Sequence, residues 1–129
     1  MAKASIVGFC PRYHQAVELI GRRWTGAIVR LLLSGPKRFV EITHGIPEIS
    51  DRMLTERLRE LEAEAIVQRT VIPEIPVRVE YALTAKGHAL DGAIRALARW
   101  AEEWVEALPP ATAASVAPRR TPAPQRRGE

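Results

Sequence analysis

The 129-residue chain has a single cysteine, few aromatic residues and no long apolar run. One cysteine, Cys10, cannot form a disulfide within the chain, so nothing in the sequence points to an oxidising compartment. No apolar stretch approaches the roughly 20 residues of a membrane span, and the one at the N-terminus is too short for a secretory signal. We therefore expect a cytoplasmic protein that has no membrane partner.

Positive charge is concentrated at one end of the chain. The formal net charge is +4, but residues 109–129 carry four arginines against one glutamate, which leaves the first 108 residues at only +1. This stretch, rich in proline, alanine and arginine, has no apolar period, which predicts a single domain (residues 1–108) followed by a disordered tail (residues 109–129). Because the domain has little net charge, any binding to nucleic acid must depend on where its charges are placed.

The residues that most often carry catalysis or hold metals are few and scattered. Cys10, His14, His44 and His88 are spread over several predicted elements. No glycine-rich phosphate loop, serine–histidine–aspartate arrangement or carboxylate pair accompanies them. Cys10 and His14 are four residues apart and could supply half of a metal site, but the sequence has no second pair. We expect no enzyme, no metal and no cofactor.

Local signals divide the domain into helices and a hairpin. Proline opens the first helix, the sequence SGP closes the second, and Ser50 is a favourable N-cap for a later one. Two runs rich in β-branched residues flank the loop PEIP and predict a hairpin. The predicted helices are Pro11–Ile20, Trp24–Leu33, Arg38 to about His44, Ser50–Ala65 and Ala85–Leu108, and the predicted strands are Ile66–Ile72 and Val77–Leu83.

This order of elements predicts a winged helix-turn-helix, a mostly helical α+β fold with a two-stranded wing and a long C-terminal dimerisation helix. In that geometry one helix enters the major groove of DNA, and the hairpin reaches the neighbouring backbone or minor groove. The helix that begins at Ser50 is the candidate recognition helix, because leucines line one of its faces and long polar side chains line the other.

The outer face of the candidate recognition helix has the residue types that read base edges. Arginine can form two hydrogen bonds with guanine, threonine can contact a thymine methyl, and glutamate can accept from cytosine or orient a neighbouring arginine. The alternative is an ordinary surface helix with ion pairs along it. The DNA-binding candidates on this helix are Ser50, Arg52, Thr55, Glu56 and Arg59.

Three further cations are placed to contact the phosphate backbone. Arg78 lies beside the tip of the predicted hairpin, whose prolines stiffen the loop. Lys37 and Arg38 lie at the predicted start of the short third helix. Phosphate contacts of this kind set the register of a protein on DNA without specifying sequence. For Arg38, a structural ion pair is an equally good interpretation.

The last predicted helix has an apolar seam. Its apolar residues recur at alternating steps of four and three, which aligns them along one face. A single small domain would leave the end of this seam exposed, and an exposed apolar patch usually marks an interface. We therefore expect a symmetric homodimer that binds an inverted repeat. The seam consists of Leu90, Ile94, Leu97, Ala101, Trp104 and Leu108.

Four stretches of the chain resemble the HxlR-type transcriptional regulators, small bacterial winged helix-turn-helix proteins akin to the MarR group. They are CPRYHQAVELIGRRW, GPKRFVEI, the run from IPEISDRMLTERLRELE to VEYALTAKG, and LARWAEEW, which together span about Cys10 to Trp104. The resemblance implies a homodimeric regulator that binds double-stranded DNA, with the Ser50 helix in the major groove and the hairpin as wing. Two positions depart from the pattern: Arg22 replaces a usual second glycine, and Ala65 replaces the glycine between helix and wing.

The resemblance also bears on Cys10. Some members of the family carry a cysteine at the start of the first helix and use it to sense oxidants or electrophiles, and Cys10 occupies that place. A thiol at a helix N-terminus feels the positive end of the helix dipole, and Arg12 would further favour the reactive thiolate. The alternative is an inert cysteine that packs the first helix. Two other functions stay open: a winged-helix module that binds protein instead of DNA, and a regulator controlled by a small-molecule ligand.

Overall fold

The computed structural model describes residues 8–106, which form six helices and three short strands. Leu108 and the predicted tail, residues 109–129, lie outside the described residues. The predicted winged helix-turn-helix is confirmed. The elements in chain order are α1 (Pro11–Ile20), α2 (Thr25–Leu32), β1 (Lys37–Arg38), α3 (Phe39–Gly45), α4 (Asp51–Ala63), β2 (Val67–Ile72), β3 (Arg78–Leu83), α5 (Ala85–His88) and α6 (Asp91–Trp104).

The core is an apolar cluster to which α2, α3, α4, α6 and one face of the sheet contribute. In α2 and α4 the buried residues recur every three or four positions, so each helix buries one face and presents the other to solvent. By contrast, α1 contributes no buried residue. The buried apolar residues are Ile28, Val29, Leu32, Ile42, Ile46, Ile49, Leu54, Leu58, Leu61, Ile66, Val67, Leu83 and Ile94.

The predicted hairpin is confirmed as β2 and β3, and we call these strands and the loop 73–77 the wing. The strands are antiparallel, in a register that pairs Val67 with Leu83. A third strand, β1, was not predicted; it lies beside β3 and gives the sheet order β1-β3-β2. Lys37 and Arg38 therefore lie in a strand, where the sequence analysis placed them at the start of a helix. Their extended conformation depends on pairing with β3, which is distant in sequence.

The predicted single helix from Ala85 to Leu108 is instead two helices, α5 and α6. Thr84 caps α5 as expected, and its hydroxyl accepts a hydrogen bond from the Gly87 N–H at 3.2 Å. The next turn tightens, because the Leu90 N–H donates to the carbonyl of Gly87, three residues back, at 3.1 Å. Gly87 lies so near the Ile66 carbonyl oxygen that a Cβ would collide with it. The spacing of apolar residues continues across the break between α5 and α6, so the sequence pattern does not show where the first helix ends.

Candidate nucleic-acid interface

The candidate recognition helix, α4, is fixed to the core along its inner face and at its start. Leu54, Leu58 and Leu61 are at most 1 % exposed. Ser50 is the N-cap, and its hydroxyl accepts a hydrogen bond from the Met53 N–H at 3.1 Å. Because this bond satisfies one of the free N–H groups of the first turn, the Ser50 side chain stabilises the helix. The helix thus holds its outer face in a defined position.

The predicted reading residues lie on that outer face. The Arg52 side chain is 90 % exposed, and its Nε lies 3.6 Å from the Glu56 carboxylate. An exposed pair of this kind contributes little to stability, so its partners can exchange it for contacts with DNA at small cost. Arg59 is exposed and has no ion-pair partner among residues 8–106. α4 therefore offers one lightly paired guanidinium and one free guanidinium to the solvent.

Thr55 is oriented by a bond within the helix. Its hydroxyl donates to the carbonyl oxygen of Asp51 at 2.8 Å, one turn back. With the hydroxyl engaged in this way, the methyl group is the part of the side chain best suited to an external contact, and a thymine methyl is a chemically suitable partner. Thr55 therefore presents its methyl group, and not a free hydroxyl, to an external partner.

Arg57, a third arginine of α4, has a structural role and is not among the residues predicted for the site. Arg57 Nε donates to the carbonyl oxygen of Arg23 at 2.9 Å, and its Nη1 donates to Glu60 at 2.9 Å. The other Glu60 oxygen lies 3.1 Å from Arg22 Nη1. We call these four residues, Arg22, Arg23, Arg57 and Glu60, the clamp. It joins α4 to the turn between α1 and α2, and it uses the arginine that departs from the family pattern.

The C-terminal end of α4 is tied to the segment that follows the wing. Ala65 adopts a left-handed conformation with φ 57°, and the Ile66 N–H donates to the Leu61 carbonyl at 2.9 Å, as in a Schellman helix end. The Thr84 hydroxyl donates to the Ala65 carbonyl at 2.6 Å, and Lys86 Nζ donates to the Glu64 carbonyl at 2.6 Å. The sequence TAKG is therefore the connection between the recognition helix and α5.

The two arginines expected at phosphates are held by carboxylates. Arg38 donates to Glu41 through both its backbone N–H and its Nε, each at 3.1 Å. The pKa of Glu41 is lowered chiefly by the bond from that N–H and further by the guanidinium. On the wing, Arg78 lies between Glu74, at 3.6 Å, and Glu80, at 3.4 Å. The observed contacts of Arg38 therefore agree with its interpretation as a member of a structural ion pair.

Two other cations near the wing are less constrained. Arg69 lies on β2 and is exposed, and Lys37 lies on β1 and is half-buried. Neither forms an ion pair in the part of the chain that the structure describes. Arg69 is not among the residues predicted for the site. On the wing, Arg78 is therefore paired with carboxylates of its own strand and loop, whereas Arg69 has no ion pair within the described residues.

Apolar side chains remain exposed on α1 and α6. Leu97, Trp100 and Trp104 follow the i, i+3, i+7 spacing of one face of α6 and are all more than half exposed. Phe9 and Tyr13, at the start of α1, are also largely exposed. The predicted seam divides here: Leu90 and Ile94 pack on the chain's own core, Ala101 is half-buried, and Leu97 and Trp104 face solvent. Trp100 was not in the predicted seam.

Cys10 is the N-cap residue of α1 and is half-buried. Its backbone carbonyl accepts the first helical hydrogen bond, from the His14 N–H at 3.0 Å, so the thiol stands beside the positive end of the helix. Among residues 8–106, no group of three or more histidine, cysteine, aspartate or glutamate side chains is arranged to hold a metal ion. None of the described helices has the length and apolar character to cross a membrane.

Residues 19–109 match the family described as HxlR-like helix-turn-helix. The chain belongs to the HxlR family. Two relatives from Bacillus subtilis (strain 168), the HTH-type transcriptional regulators YvaP and YodB, are each 50 % identical over 97 residues. The alignments cover 75 % of this chain, with 90 % of YvaP and 87 % of YodB. The relatives of this HxlR-family chain are thus transcriptional regulators and not enzymes.

Solved structures of HxlR relatives have the same fold. The reduced form of YodB matches with a TM-score of 0.70 and 49 % identity, covering 77 % of this chain and 97 % of that one. The diamide-treated form of YodB gives a TM-score of 0.65 at 49 % identity, with coverage of 77 % and 98 %. The redox regulator HypR in its oxidised form gives 0.71 at 38 % identity, with coverage of 76 % and 100 %. Some relatives of this family member are therefore studied as redox-responsive proteins.

Proposed function

We propose that this protein is a cytoplasmic transcriptional regulator that binds a specific double-stranded DNA sequence as a homodimer. The observation that carries the proposal is the outer face of α4, where Arg52 is 90 % exposed and Arg59 has no ion-pair partner in the described residues. The helix behind them is fixed by buried leucines, by the Ser50 cap and by the clamp. Preorganised, lightly paired guanidinium groups on such a helix suit bidentate hydrogen bonding to guanine in the major groove.

The candidate DNA-binding residues have different proposed roles, which depend on what their side chains already contact. Arg52 and Arg59 read bases, Thr55 offers its methyl, and Glu56 orients Arg52. Lys37 contacts a phosphate, since it forms no ion pair within residues 8–106 and interacts with Glu41 only at longer range. Arg38 and Arg78 chiefly neutralise the carboxylates beside them. Their contribution to affinity comes from reducing negative charge near the DNA backbone.

The proposed dimer uses the apolar faces of α1 and α6. α1 has no fully buried residue and packs on its own core only through Leu19 and Ile20, so its exposed apolar side chains are available to another surface. Leu97, Trp100 and Trp104 supply the matching apolar area on α6. A two-fold arrangement would place two α4 helices about 34 Å apart, or a multiple of this distance, and would require an inverted-repeat operator. Light scattering at micromolar concentration tests it; a monomer would refute the dimer.

Selection of bound sequences from random double-stranded DNA tests the DNA-binding proposal. We expect one inverted repeat to be enriched by the wild-type protein. Arg52→Ala and Arg59→Ala should each weaken operator binding by about 1–3 kcal/mol and relax the preference at one position in each half-site. Recovery of no sequence preference by the wild-type protein, measured at low salt, would overturn the proposal and favour a protein-binding winged helix.

Cys10 is the proposed site of an oxidant or electrophile response. The support is its place at the start of α1 and the relatives solved in diamide-treated and oxidised forms. Diamide would take two electrons and two protons from two thiols, forming one S–S bond and the hydrazine. Because the chain has one cysteine, the bond would join two subunits or a subunit and a small thiol. A quinone would instead form a C–S bond with the thiolate and retain the electrons as a hydroquinone adduct.

Operator binding by wild-type protein and Cys10→Ser, with and without diamide or quinone, tests this response. We expect the wild-type protein to change its affinity and Cys10→Ser to be insensitive, with the adduct or disulfide seen by intact mass. Equal responses in the two proteins, or no response in the wild type, would leave Cys10 as a packing residue. A small-molecule ligand would then be the better candidate signal.

A further inference from the structure

A cavity of about 390 Å³ lies between the end of α2 and the middle of α6. Its floor is apolar, because Ile94 is buried there and Leu33 and Ala98 are half-buried. The volume falls within the range of cavities that hold small molecules. We call this cavity the arginine groove, after the residues of its walls. Its lining includes none of the residues proposed above to read or contact DNA.

Positive charge lines both walls of the arginine groove. Arg30 comes from α2, and Arg95 and Arg99 lie one turn apart on α6. Arg95 donates to the Asp91 carboxylate, but Arg30 and Arg99 form no ion pair within residues 8–106. Like charges one turn apart on a helix are unfavourable, and the third arginine adds to this repulsion from the opposite wall. Two guanidinium groups of the groove are therefore left without a neutralising partner in the described part of the chain.

The groove and the exposed apolar face lie on different sides of α6. Arg95, Arg99 and Glu102 follow the i, i+4, i+7 spacing of one side of a helix, and Glu102 is the one carboxylate of the groove lining. At about 100° per residue, Trp100 and Trp104 lie roughly 150° around the helix from them. The proposed dimer contact therefore leaves the arginine groove open to solvent.

We propose that the arginine groove binds a small organic anion and that this ligand is an effector of operator binding. Its carboxylate or phosphate accepts hydrogen bonds from Arg30 and Arg99, since a guanidinium group binds either oxyanion through two parallel bonds. Its apolar part covers the floor of the groove, at Leu33 and Ala98. The site is new to the proposed function, and only its effector role rests on that function.

The two walls of the groove belong to helices with different tasks. α2 packs against α3 within the DNA-binding part of the chain, whereas α6 has the apolar face of the proposed dimer. A ring system held by both helices would set the angle between them. In the dimer, this angle determines where each α4 lies relative to the two-fold axis, so the ligand should weaken binding to an operator of fixed spacing.

Ligand binding is measured on the full chain without DNA, by isothermal titration calorimetry. The three probes share one ring system: naphthoate, naphthyl phosphate and the uncharged naphthamide. We expect a dissociation constant of about 1 mM or lower for the better anion and binding about tenfold weaker for naphthamide. The tighter of the two anions identifies the oxyanion that the groove prefers.

Glutamine variants test the residues of the groove, because glutamine removes the charge and retains helix propensity. Arg30→Gln and Arg99→Gln should each weaken naphthoate binding about tenfold, with thermal unfolding unchanged. Arg59→Gln removes an equally free charge from α4, outside the groove, and is the matched control that should bind naphthoate as the wild type does. Glu102→Gln should bind it about threefold more tightly, since a carboxylate leaves the lining.

The effector role is measured as operator affinity at saturating naphthoate. We expect affinity to fall about fivefold for the wild type and to stay unchanged for Arg99→Gln. Without ligand, Arg30→Gln and Arg99→Gln should bind the operator with wild-type affinity and an unchanged dependence on salt. By linkage, operator DNA should weaken naphthoate binding by the same factor.

Several results would overturn the proposal in distinguishable ways. Equal binding of naphthoate and naphthamide, or equal binding of naphthoate by wild type and Arg99→Gln, would exclude the site. Loss of binding in Arg30→Gln alone would move the ligand to the neighbouring cavity that Arg30 lines with Trp24 and Pro47, which also excludes it. A lower operator affinity and salt dependence of Arg99→Gln without ligand would make this arginine a DNA contact instead.

Two further results separate the ligand from the regulator. Naphthoate binding in the groove that leaves operator affinity unchanged would refute the effector role. Absence of any operator binding by the wild type would refute the proposed function itself, while the calorimetry would still decide whether the groove binds an anion.

Discussion

Arg57 and Arg59 are the same residue type two positions apart on α4, yet the structure gives them opposite tasks. The Arg57 side chain is 16 % exposed and makes two short bonds, to the Arg23 carbonyl and to Glu60. Arg59 is exposed and has no such bond within the described residues. Arg57→Ala should therefore cost stability, and Arg59→Ala should cost DNA binding.

The expected loss of stability for Arg57→Ala is about 2–3 kcal/mol. Hydrogen bonds to a charged group contribute about 1.5–3 kcal/mol each when buried. The partial exposure of Glu60 reduces the contribution of the bond between Arg57 and Glu60. For a described domain of this size, the change corresponds to a melting temperature lower by about 10 °C or more. Arg59→Ala should stay within about 0.5 kcal/mol of the wild type. Its operator affinity should fall, while Arg57→Ala should bind normally at temperatures where it is folded.

Urea unfolding followed by tryptophan fluorescence measures the stability, at one fixed protein concentration because the proposed dimer makes stability concentration-dependent. Arg57→Lys keeps the charge but cannot make both bonds, and it should fall between the wild type and Arg57→Ala. Equal stability of Arg57→Ala and Arg59→Ala would refute the reasoning, since the clamp would then contribute nothing. Equal loss of operator binding in the two variants would refute the assignment of Arg59 to the reading face.

Three further predictions concern stability. Ala65→Gly should stabilise the fold by about 0.5–1 kcal/mol in urea unfolding, because φ 57° strains alanine and suits glycine; a destabilised variant would contradict it. Gly87→Ala should destabilise by about 2 kcal/mol or more, since the new methyl meets the Ile66 carbonyl, and an unchanged midpoint would be inconsistent with this contact. The pKa of Glu41 is lowered from 4.5 in the folded chain, so its bond with Arg38 stabilises above that pH and is lost as the pH falls through the folded value. Glu41→Gln should therefore flatten the acid side of the stability profile, and an unaltered profile would exclude this contribution.

Local signals predicted the helices well where capping and apolar period agree. α1 has the predicted bounds, and Ser50 caps the recognition helix as expected. The sequence did not predict β1, because two residues form a strand only by pairing with Tyr81 and Glu80, more than forty positions away. It also missed the interruption between α5 and α6. There the apolar spacing continues, while the chain turns after His88 through the bond from the Leu90 N–H to the Gly87 carbonyl.

For the candidate site, sequence reasoning selected the face of α4 correctly as an exposed polar surface but could not separate free from engaged cations. Arg52 and Arg59 were selected by helical spacing, which the structure preserves. Arg57 reaches the Arg23 carbonyl across the turn between α1 and α2, and only tertiary packing brings these two groups together. Arg78 instead pairs with Glu74 and Glu80, which are close to it in sequence. Counting arginines on a face is therefore a poor guide to which of them can meet a phosphate.

The bonds from Thr84 and Lys86 to the end of α4 have a mechanical consequence. They tie the end of α4 to the segment that leads into α6, so in the proposed dimer we expect each half to turn as one rigid unit about the two-fold axis. If half-sites are one DNA turn apart, α4 lies about 17 Å from that axis. A rotation of about 5° at the subunit contact would then carry the reading arginines roughly 1.5 Å along an arc. This is enough to stretch a 2.9 Å hydrogen bond beyond its working range, so a small adduct at α1 could release DNA without unfolding any element.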